Sequence, residues 1–214
     1  MSATPRIAAV VIAAGASSRM GRPKALLAID GGTFVARIAE TARAGGVARV
    51  LVVLGPPHGE EVRRALPAEA EAAWNPDPSR GMLTSVQVGL ATLGPEVDGA
   101  LVWPVDTPLV RAATVARILD GAGAGVARAG SPDGLLFVHC SMVVPTVAGR
   151  GGHPVLLGRR AFAAIAALGL DGGGLRAFLA ARAADVLRLP VDDEGVRQDV
   201  DTPDDYTRFI PGAR

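Results

Sequence analysis

The chain is poor in cysteine, aromatic residues and net charge, and each shortage excludes a class of protein. Cys140 is the single cysteine among 214 residues, which excludes an internal disulfide and a zinc site made of several cysteines. We expect this thiol to be buried and inert rather than reactive. Aromatic residues make up 4% of the chain and the net charge is +1, so a surface for nucleic acid is not predicted.

Long apolar runs are also absent. No stretch approaches the roughly 18 residues that a membrane span needs, so no membrane contact is predicted. Arg6 and the apolar residues 7–14 imitate a signal peptide. We interpret this run as the first strand of the core instead, because it leads directly into a glycine-rich loop. With the lone cysteine, this predicts a cytoplasmic protein.

Lysine occurs once, at Lys24, although the chain has 22 basic residues. It ends a glycine-rich stretch that follows the predicted strand and also contains Gly15, Ser17 and Arg19. A strand that opens into glycines, hydroxyls and positive charge presents backbone N–H groups to an anion, most simply a nucleotide phosphate. A compact ammonium on a flexible stem suits a tight loop better than a planar guanidinium. The stretch therefore predicts a phosphate-binding loop.

This loop matches neither standard phosphate motif. It lacks the Gly-Lys-Ser/Thr ending of a P-loop and the G-x-G-x-x-G of a dinucleotide fold. Both a generic NTPase and a nicotinamide-dependent dehydrogenase lose support. No G-x-S-x-G elbow is present either, so serine-hydrolase chemistry is not predicted.

Apolar strands alternate with amphipathic helices along the chain, which predicts a mostly parallel sheet joined by helical crossovers. In such a sheet, ligands bind at the carboxyl ends of the strands. Residues 121–134 are rich in glycine and predict a loop or weak hairpin. The predicted strands are 7–12, 50–54, 98–105, 142–145 and 186–189, and the predicted helices are 33–44, 59–66, 83–93, 159–168 and 175–184.

The tripeptide Asp-Thr-Pro occurs twice, beginning at Asp106 and at Asp201. In both copies the threonine can cap a following helix while the proline occupies its first turn. Each aspartate then lies at a strand's carboxyl end, on the same edge of the sheet as Lys24. There the two carboxylates could hold one Mg²⁺ ion. The simpler alternative is that each aspartate supplements a cap. Asp199, two residues before Asp201, competes with it as the ligand.

These residues resemble the MobA-like nucleotidyltransferases, over nearly the whole chain. The opening motif of that family stands here as Ile12-Ala-Ala-Gly15-Ala-Ser17-Ser-Arg19-Met20-Gly21-Arg-Pro-Lys24. Further agreement comes from Gly81-Met-Leu-Thr-Ser85-Val-Gln-Val-Gly89-Leu, Asp106-Thr-Pro-Leu, Gly152-His153-Pro-Val-Leu and Asp199-Val-Asp201-Thr-Pro-Asp-Asp-Tyr206. The molybdenum cofactor cytidylyltransferase branch is the most similar.

The resemblance implies a three-layer αβα Rossmann-like fold in one domain, residues 1–214. Its NTP-binding half would cover about 1–110 and its acceptor-binding half about 111–214. By the same resemblance, Lys24, Arg19 and Asp106 are catalytic, and Asp106 with Asp201 or Asp199 holds Mg²⁺. The nucleotide-binding set would be Ala13, Ala14, Gly15, Ser17, Arg19, Gly21, Lys24, Gly81 and Ser85.

The acceptor and the base are also implied. Gly152 and His153 would face the acceptor, which in similar proteins is molybdopterin with or without its metal. Ala14 matches the cytidylyl branch, where guanylyl members usually have glycine, and its methyl group is expected to narrow the space beside the base. Ser85 could instead be an ordinary helix residue, and His153 could merely shape a turn. Residues 147–151 and 121–138 depart from the family pattern.

We therefore predict transfer of a nucleotidyl group, with CMP from CTP favoured, to a phosphorylated small molecule such as molybdopterin, with release of pyrophosphate. The product could pass to a molybdoenzyme or its chaperone. Within the enzyme class, a sugar phosphate or methylerythritol phosphate remains an alternative acceptor, and GTP an alternative donor. Two rivals lie outside nucleotidyl transfer: a non-catalytic protein that hands on a cofactor, and an NAD(P)H oxidoreductase on the same scaffold.

Overall fold

The structure is a computed structural model that describes residues 5–127, 142–210 and 212, with the side chains of 122–127 excluded. Cys140 and most of the glycine-rich segment 121–138 lie outside the described residues. Residues 121–127 belong to a helix, so the prediction of a loop or hairpin beginning at Gly121 is wrong for this part. Gly121 itself faces Leu187 and Leu189, and a helix was not apparent from its glycine-rich sequence.

The described strands are β1 Ile7–Ile12, β2 Ala28–Ile29, β3 Gly32–Thr33, β4 Arg49–Leu54, β5 Glu71–Trp74, β6 Gly99–Pro104, β7 Met142–Val147, β8 Arg150–Gly151, β9 Val155–Gly158 and β10 Val186–Pro190. The helices are α1 Phe34–Ala44, α2 Gly59–Arg64, α3 Met82–Thr92, α4 Ala112–Ala127, α5 Arg159–Ala166, α6 Gly174–Ala181 and α7 Pro203–Phe209. Each predicted strand and helix is present, with ends shifted by a few residues.

The strands form a mostly parallel sheet, as predicted. Its order is β10-β7-β9-β6-β1-β4-β5, with β8 paired to β7, and β2 and β3 make a separate hairpin. Strand β1 pairs in parallel with both β4 and β6. Strand β9 runs antiparallel to β6 and to β7. The sequence did not predict β5 or β9, which are short and carry no clear alternation.

Helices cover both faces of this sheet because the side chains of the strands alternate between two cores. On β1, Ala9 and Val11 join one core with α1, α4 and α7. Val10 and Ala8 join the other core with α3, α5 and α6. The α/β three-layer prediction is confirmed. The carboxyl ends of β1, β4 and β6 therefore open at one edge, which is where the predicted site residues lie.

Two local predictions about the Asp-Thr-Pro tripeptides are wrong. Thr107 does not cap a helix, because α4 begins only at Ala112 and the Thr107 hydroxyl donates to the Pro104 carbonyl oxygen at 2.9 Å. The backbone just before α4 is instead held by Asp193, whose carboxylate accepts a hydrogen bond from the Arg111 N–H at 2.9 Å. The second error concerns Asp199 and Val200, which lie in an irregular segment instead of a strand. Thr202, by contrast, caps α7 as predicted.

None of the described helices combines the length and the apolar character that crossing a membrane requires.

Candidate functional site

The glycine-rich loop begins directly after β1 and ends in a single turn at Lys24. Ser17 has a left-handed backbone with φ of 52°, and its hydroxyl accepts a hydrogen bond from the Lys24 N–H at 3.0 Å. This bond closes the loop on itself. The loop therefore reaches Lys24 with its backbone already bent around the space above β1.

Lys24 is buried, and its ammonium lies between two carboxylates. Its Nζ is 3.4 Å from Asp106 Oδ2 and also contacts Asp201 Oδ1. Arg19 adds a second cation, with its Nη2 3.2 Å from Asp201 Oδ2. The Arg19 side chain is 66% exposed, whereas that of Lys24 is 11% exposed. Lys24 is thus the inner charge of this group and Arg19 the outer one.

The helix α7 positions Asp201. Thr202 accepts from the Asp205 N–H at 3.2 Å, and Asp205 Oδ2 accepts from the Thr202 N–H at 2.8 Å, which forms a capping box. Asp205 Oδ2 also accepts from the Asp201 N–H at 3.2 Å. These bonds hold the pKa of Asp205 below its ordinary value, the side-chain bond to Thr202 being the main cause. The cap therefore orients the backbone on which Asp201 stands.

Asp199 adds a third acidic group beside these residues. Loss of solvent around its carboxyl, followed by the like charges of Asp106 and Asp201, raises its pKa above the ordinary value. Lys24 and Arg197 act in the opposite direction. The competition between Asp199 and Asp201 as a ligand is not decided by this arrangement, but only Asp201 contacts the Lys24 ammonium.

The acidic pair fits a divalent metal of the hard type. In the described part of the chain, no three histidine, cysteine or acidic side chains are placed to hold an ion. Asp106 and Asp201 nevertheless converge on one cation, the Lys24 ammonium. Mg²⁺ is often held by one or two carboxylates, with water and substrate phosphates completing its octahedron. Two carboxylates are therefore an adequate protein contribution.

A pocket of about 220 Å³ adjoins Lys24 and Asp106. It runs from the glycine-rich loop to the start of α3, so one space joins the charged group to the helix that carries Ser85. Its wall consists of Ile12, Ala13, Gly15, Ser17, Ser18, Arg19, Pro23, Lys24, Ala25, Pro78, Met82, Ser85, Pro104, Val105 and Asp106.

Several predicted nucleotide-binding residues lie away from this wall. Ala14 is buried beside Gly55, where an added Cβ on residue 55 would be 3.2 Å from the Ala14 methyl. The Ala14 methyl thus packs beside Gly55 and does not line this pocket, and its effect on the space beside a base stays a prediction. Gly21 and Gly81 are exposed and do not line the pocket. Gly81 has a φ of 106°, a left-handed value that favours glycine, where α3 begins.

Asn75 is a buried polar residue that the sequence did not identify. It follows β5 and donates to the hydroxyls of Thr84 at 2.8 Å and Ser85 at 2.9 Å. Ser85 is 2% exposed yet forms part of the pocket wall. Because β5 was not predicted, nothing in the sequence indicated that Asn75 reaches α3.

The segment of Gly152 and His153 lies against the chain that precedes Asp199. A Cβ on Gly152 would be 2.2 Å from the Val196 carbonyl oxygen, so glycine is required here by close packing. The His153 N–H donates to the same oxygen at 2.7 Å. Its ring Nδ1 is buried without a partner among the described residues. Burial lowers the pKa of His153, and the charge of Asp106 opposes this shift.

A mostly parallel sheet with helices on both faces, and with a glycine-rich loop and aspartates at one edge, is the arrangement of a Rossmann-like nucleotidyltransferase. The chain belongs to the family of MobA-like NTP transferase domains, whose profile matches residues 9–186. The resemblance found in the sequence motifs is thus confirmed.

Individual relatives span almost the whole chain. Nicotine blue oxidoreductase from Paenarthrobacter nicotinovorans is 32% identical over 207 residues, which are 96% of this chain and 97% of that protein. The crystal structure of Rv0371c from Mycobacterium tuberculosis H37Rv has a TM-score of 0.77 and 30% identity, covering 96% of this chain and 98% of the other. A structure of Rv0371c in complex with manganese has a TM-score of 0.72 and 28% identity, with coverage of 97% and 99%.

Proposed function

We propose that this protein transfers a nucleotidyl group from an NTP, preferably CTP, to a phosphorylated small molecule and releases pyrophosphate. The observation that carries the proposal is the Lys24 ammonium between Asp106 and Asp201, at the wall of a pocket that also contains Ser85. Cations and carboxylates beside one space match a reaction in which phosphates are positioned and their charge is neutralised. Membership in the MobA-like family supports the same class.

In the proposed reaction an acceptor phosphate oxygen attacks the α-phosphorus in line, and the bond to the β-phosphate breaks as pyrophosphate leaves. Lys24 offsets charge on the pyrophosphate from inside the loop, and Arg19 does so from the solvent side. The backbone of the loop around Gly15 and Ser17 holds the phosphates. No covalent enzyme intermediate is required.

Asp106 and Asp201 are the proposed Mg²⁺ ligands, with Asp199 as the competitor. When bound, the metal would supply positive charge and a template for the reacting phosphates. Manganese in the Rv0371c complex indicates that a divalent ion can bind a protein of this fold. In this chain Asp106 and Asp201 would hold such an ion, and Lys24 would direct its charge toward the phosphates.

We place the acceptor on the side of Gly152 and His153, in the half of the chain from about 111 to 214. The buried Nδ1 of His153 is the polar atom there that lacks a partner among described residues, so a ligand could satisfy it. Gly152 acts by allowing close packing. Molybdopterin is the acceptor we favour, with delivery of the product to a molybdoenzyme or its chaperone in the cytoplasm.

A pyrophosphate-release assay tests this proposal. Each of the four NTPs is combined with molybdopterin, a sugar phosphate and methylerythritol phosphate, with Mg²⁺ and with chelator. Release that needs CTP, molybdopterin and Mg²⁺ would support the full proposal. Release with another acceptor would keep the reaction and change the substrate. No release with tight nucleotide binding would favour a protein that hands on a cofactor.

The second candidate is an oxidoreductase. It is favoured by one observation, the 32% identity over 96% of the chain to nicotine blue oxidoreductase. Against it stands the lack of a dinucleotide fingerprint in the loop. The test is oxidation of NADH or NADPH, followed by absorbance, with nicotine blue as the acceptor. Turnover that persists in the Lys24→Arg variant would favour this candidate over nucleotidyl transfer.

A further inference from the structure

The side-chain amide of Asn75 has one possible orientation. Its Oδ1 accepts a hydrogen bond from the backbone N–H of Asp77 at 3.1 Å. A backbone N–H can only donate, so the atom that faces Asp77 must be the amide oxygen. The amide nitrogen therefore faces the opposite way, toward Thr84 and Ser85 on α3.

Both hydrogens of this nitrogen are used, one on each hydroxyl. The Thr84 hydroxyl accepts from Asn75 at 2.8 Å and donates to the Gly81 carbonyl oxygen, also at 2.8 Å. Ser85 accepts from Asn75 at 2.9 Å. In the part of the chain that the structure describes, no acceptor takes the hydrogen of the Ser85 hydroxyl. That hydrogen is free to serve a ligand.

The position of Ser85 decides where this hydrogen can go. The residue is 2% exposed, and its surface is part of the pocket wall beside Pro78 and Met82. Because Asn75 occupies the acceptor side of the hydroxyl, the donor side is left for the pocket. A buried donor that finds no acceptor is costly, so a ligand with an acceptor at this point binds better than one without, by roughly tenfold to a hundredfold.

We propose that Asn75 is a positioning residue that fixes Ser85 as a hydrogen-bond donor, and that the pocket accordingly selects a base with a carbonyl oxygen or unprotonated ring nitrogen facing Ser85. In CTP, the carbonyl oxygen and the adjacent ring nitrogen of cytosine provide such acceptors. The inference rests on the proposed function in taking the ligand to be a nucleotide. Beyond that function, it identifies Asn75 as the residue that makes the Ser85 hydroxyl a donor toward the ligand.

The Asn75→Asp substitution tests this polarity at almost constant size. A carboxylate only accepts, so it still serves the Asp77 N–H but draws the Ser85 hydrogen away from the pocket. Titration calorimetry with CTP should show a roughly tenfold to hundredfold loss of affinity, similar to that of Ser85→Ala. In the Ser85→Ala background, Asn75→Asp should cost less than about twofold more, because the hydroxyl it reorients is absent.

Inorganic tripolyphosphate separates this effect from the added negative charge. It has phosphates but no base, so its affinity should be the same in the wild type, Asn75→Asp and Ser85→Ala. Arg63→Lys, on the exposed side of α2, is the control variant. If Asn75→Asp does not fold in a thermal melt, Asn75→Ala replaces it, with a smaller CTP loss that again vanishes in the Ser85→Ala background.

Three results would overturn the inference: unchanged CTP affinity in Asn75→Asp, an equal loss in the Ser85→Ala background, or a parallel loss of tripolyphosphate affinity. The assay needs no turnover, so its outcome is separate from that of nucleotidyl transfer. Suppose that CTP binds and that Asn75→Asp lowers its affinity only when Ser85 is present, but no pyrophosphate is released. That result would contradict the proposed function and support this inference. Absence of any nucleotide binding by the wild type would overturn both.

Discussion

The backbone N–H of Val200 donates to the carbonyl oxygen of Asp106 at 2.8 Å. This bond joins the end of β6 to the irregular segment before α7 and brings the two Asp-Thr-Pro tripeptides side by side. Asp201 follows Val200 directly, so its carboxylate arrives beside that of Asp106. Lys24 then contacts both. This backbone contact and the cap of α7 together hold the acidic pair side by side.

Lys24→Arg should not preserve function. The ammonium is buried between two carboxylates, and a wide guanidinium cannot occupy that space without moving one of them. We expect at least about a tenfold loss of NTP affinity, and a larger loss of turnover. Calorimetry and pyrophosphate release measure the two quantities. Arg63→Lys makes the reverse exchange on the surface and should behave as wild type. Near-normal affinity and turnover in Lys24→Arg would remove the special role of lysine.

Asp106→Asn should lower metal-dependent turnover by about a hundredfold or more, because a neutral amide is a poor ligand for a hard cation. Asp201→Asn should do the same, and Asp199→Asn less, since only the first two contact Lys24. Turnover is measured against Mg²⁺ concentration, with a thermal melt of each variant. Full activity of Asp106→Asn, or a collapse of its Tm, would assign Asp106 a structural role only.

CTP should bind more tightly than GTP, by roughly ten- to two-hundredfold, because one shape contact discriminates by no more than that. The pocket volume of about 220 Å³ motivates this preference, because a pyrimidine is smaller than a purine. Ala14→Gly should leave the ratio nearly unchanged, since the Ala14 methyl packs beside Gly55. Competition binding in Mg²⁺ gives the ratio for both proteins. Tighter GTP binding by the wild type would reverse the base assignment.

Gly152→Ala should destabilise the fold, because the new Cβ would lie 2.2 Å from the Val196 carbonyl oxygen. We expect a loss of about 1–3 kcal/mol in the free energy of unfolding, as for overpacking elsewhere. Gly169→Ala is the matched control, since nothing lies within 4 Å of its added Cβ. Denaturant titrations compare the two. Equal stability of both variants would indicate that the segment can yield and that Gly152 has another role.

Acid should weaken the cap of α7. The pKa of Asp205 is held below its ordinary value mainly by the Thr202 hydroxyl, so the folded state prefers the carboxylate. Its contribution is present above the ordinary pKa and is lost as the pH falls through the lower, folded-state pKa. Tm measured from pH 7 down to about pH 2 should fall less steeply in Asp205→Asn than in wild type. Thr202→Ala should cost about 1 kcal/mol at neutral pH. Parallel curves for Asp205→Asn and wild type would contradict this linkage.

The sequence by itself determined the frame of the fold. The buried run of β1, the helical periodicities around it and the loop from Gly15 to Lys24 were recognisable, because each depends on neighbouring residues. The cap at Thr202 was predictable for the same reason. Asp106 was also placed correctly, since a short apolar strand carries whatever follows it to the sheet edge.

Tertiary structure decided what converges on that edge. Lys24 and Asp201 are 177 residues apart, and no local pattern states that they touch. Asn75 follows a four-residue edge strand with a weak pattern, so its contact with α3 emerges only when β5 pairs with β4. Ala13 and Ala14 are neighbours in the motif and both are buried, but of the two only Ala13 lines the pocket. Local chemistry sets which residues are available, and packing over long sequence distances sets which of them meet.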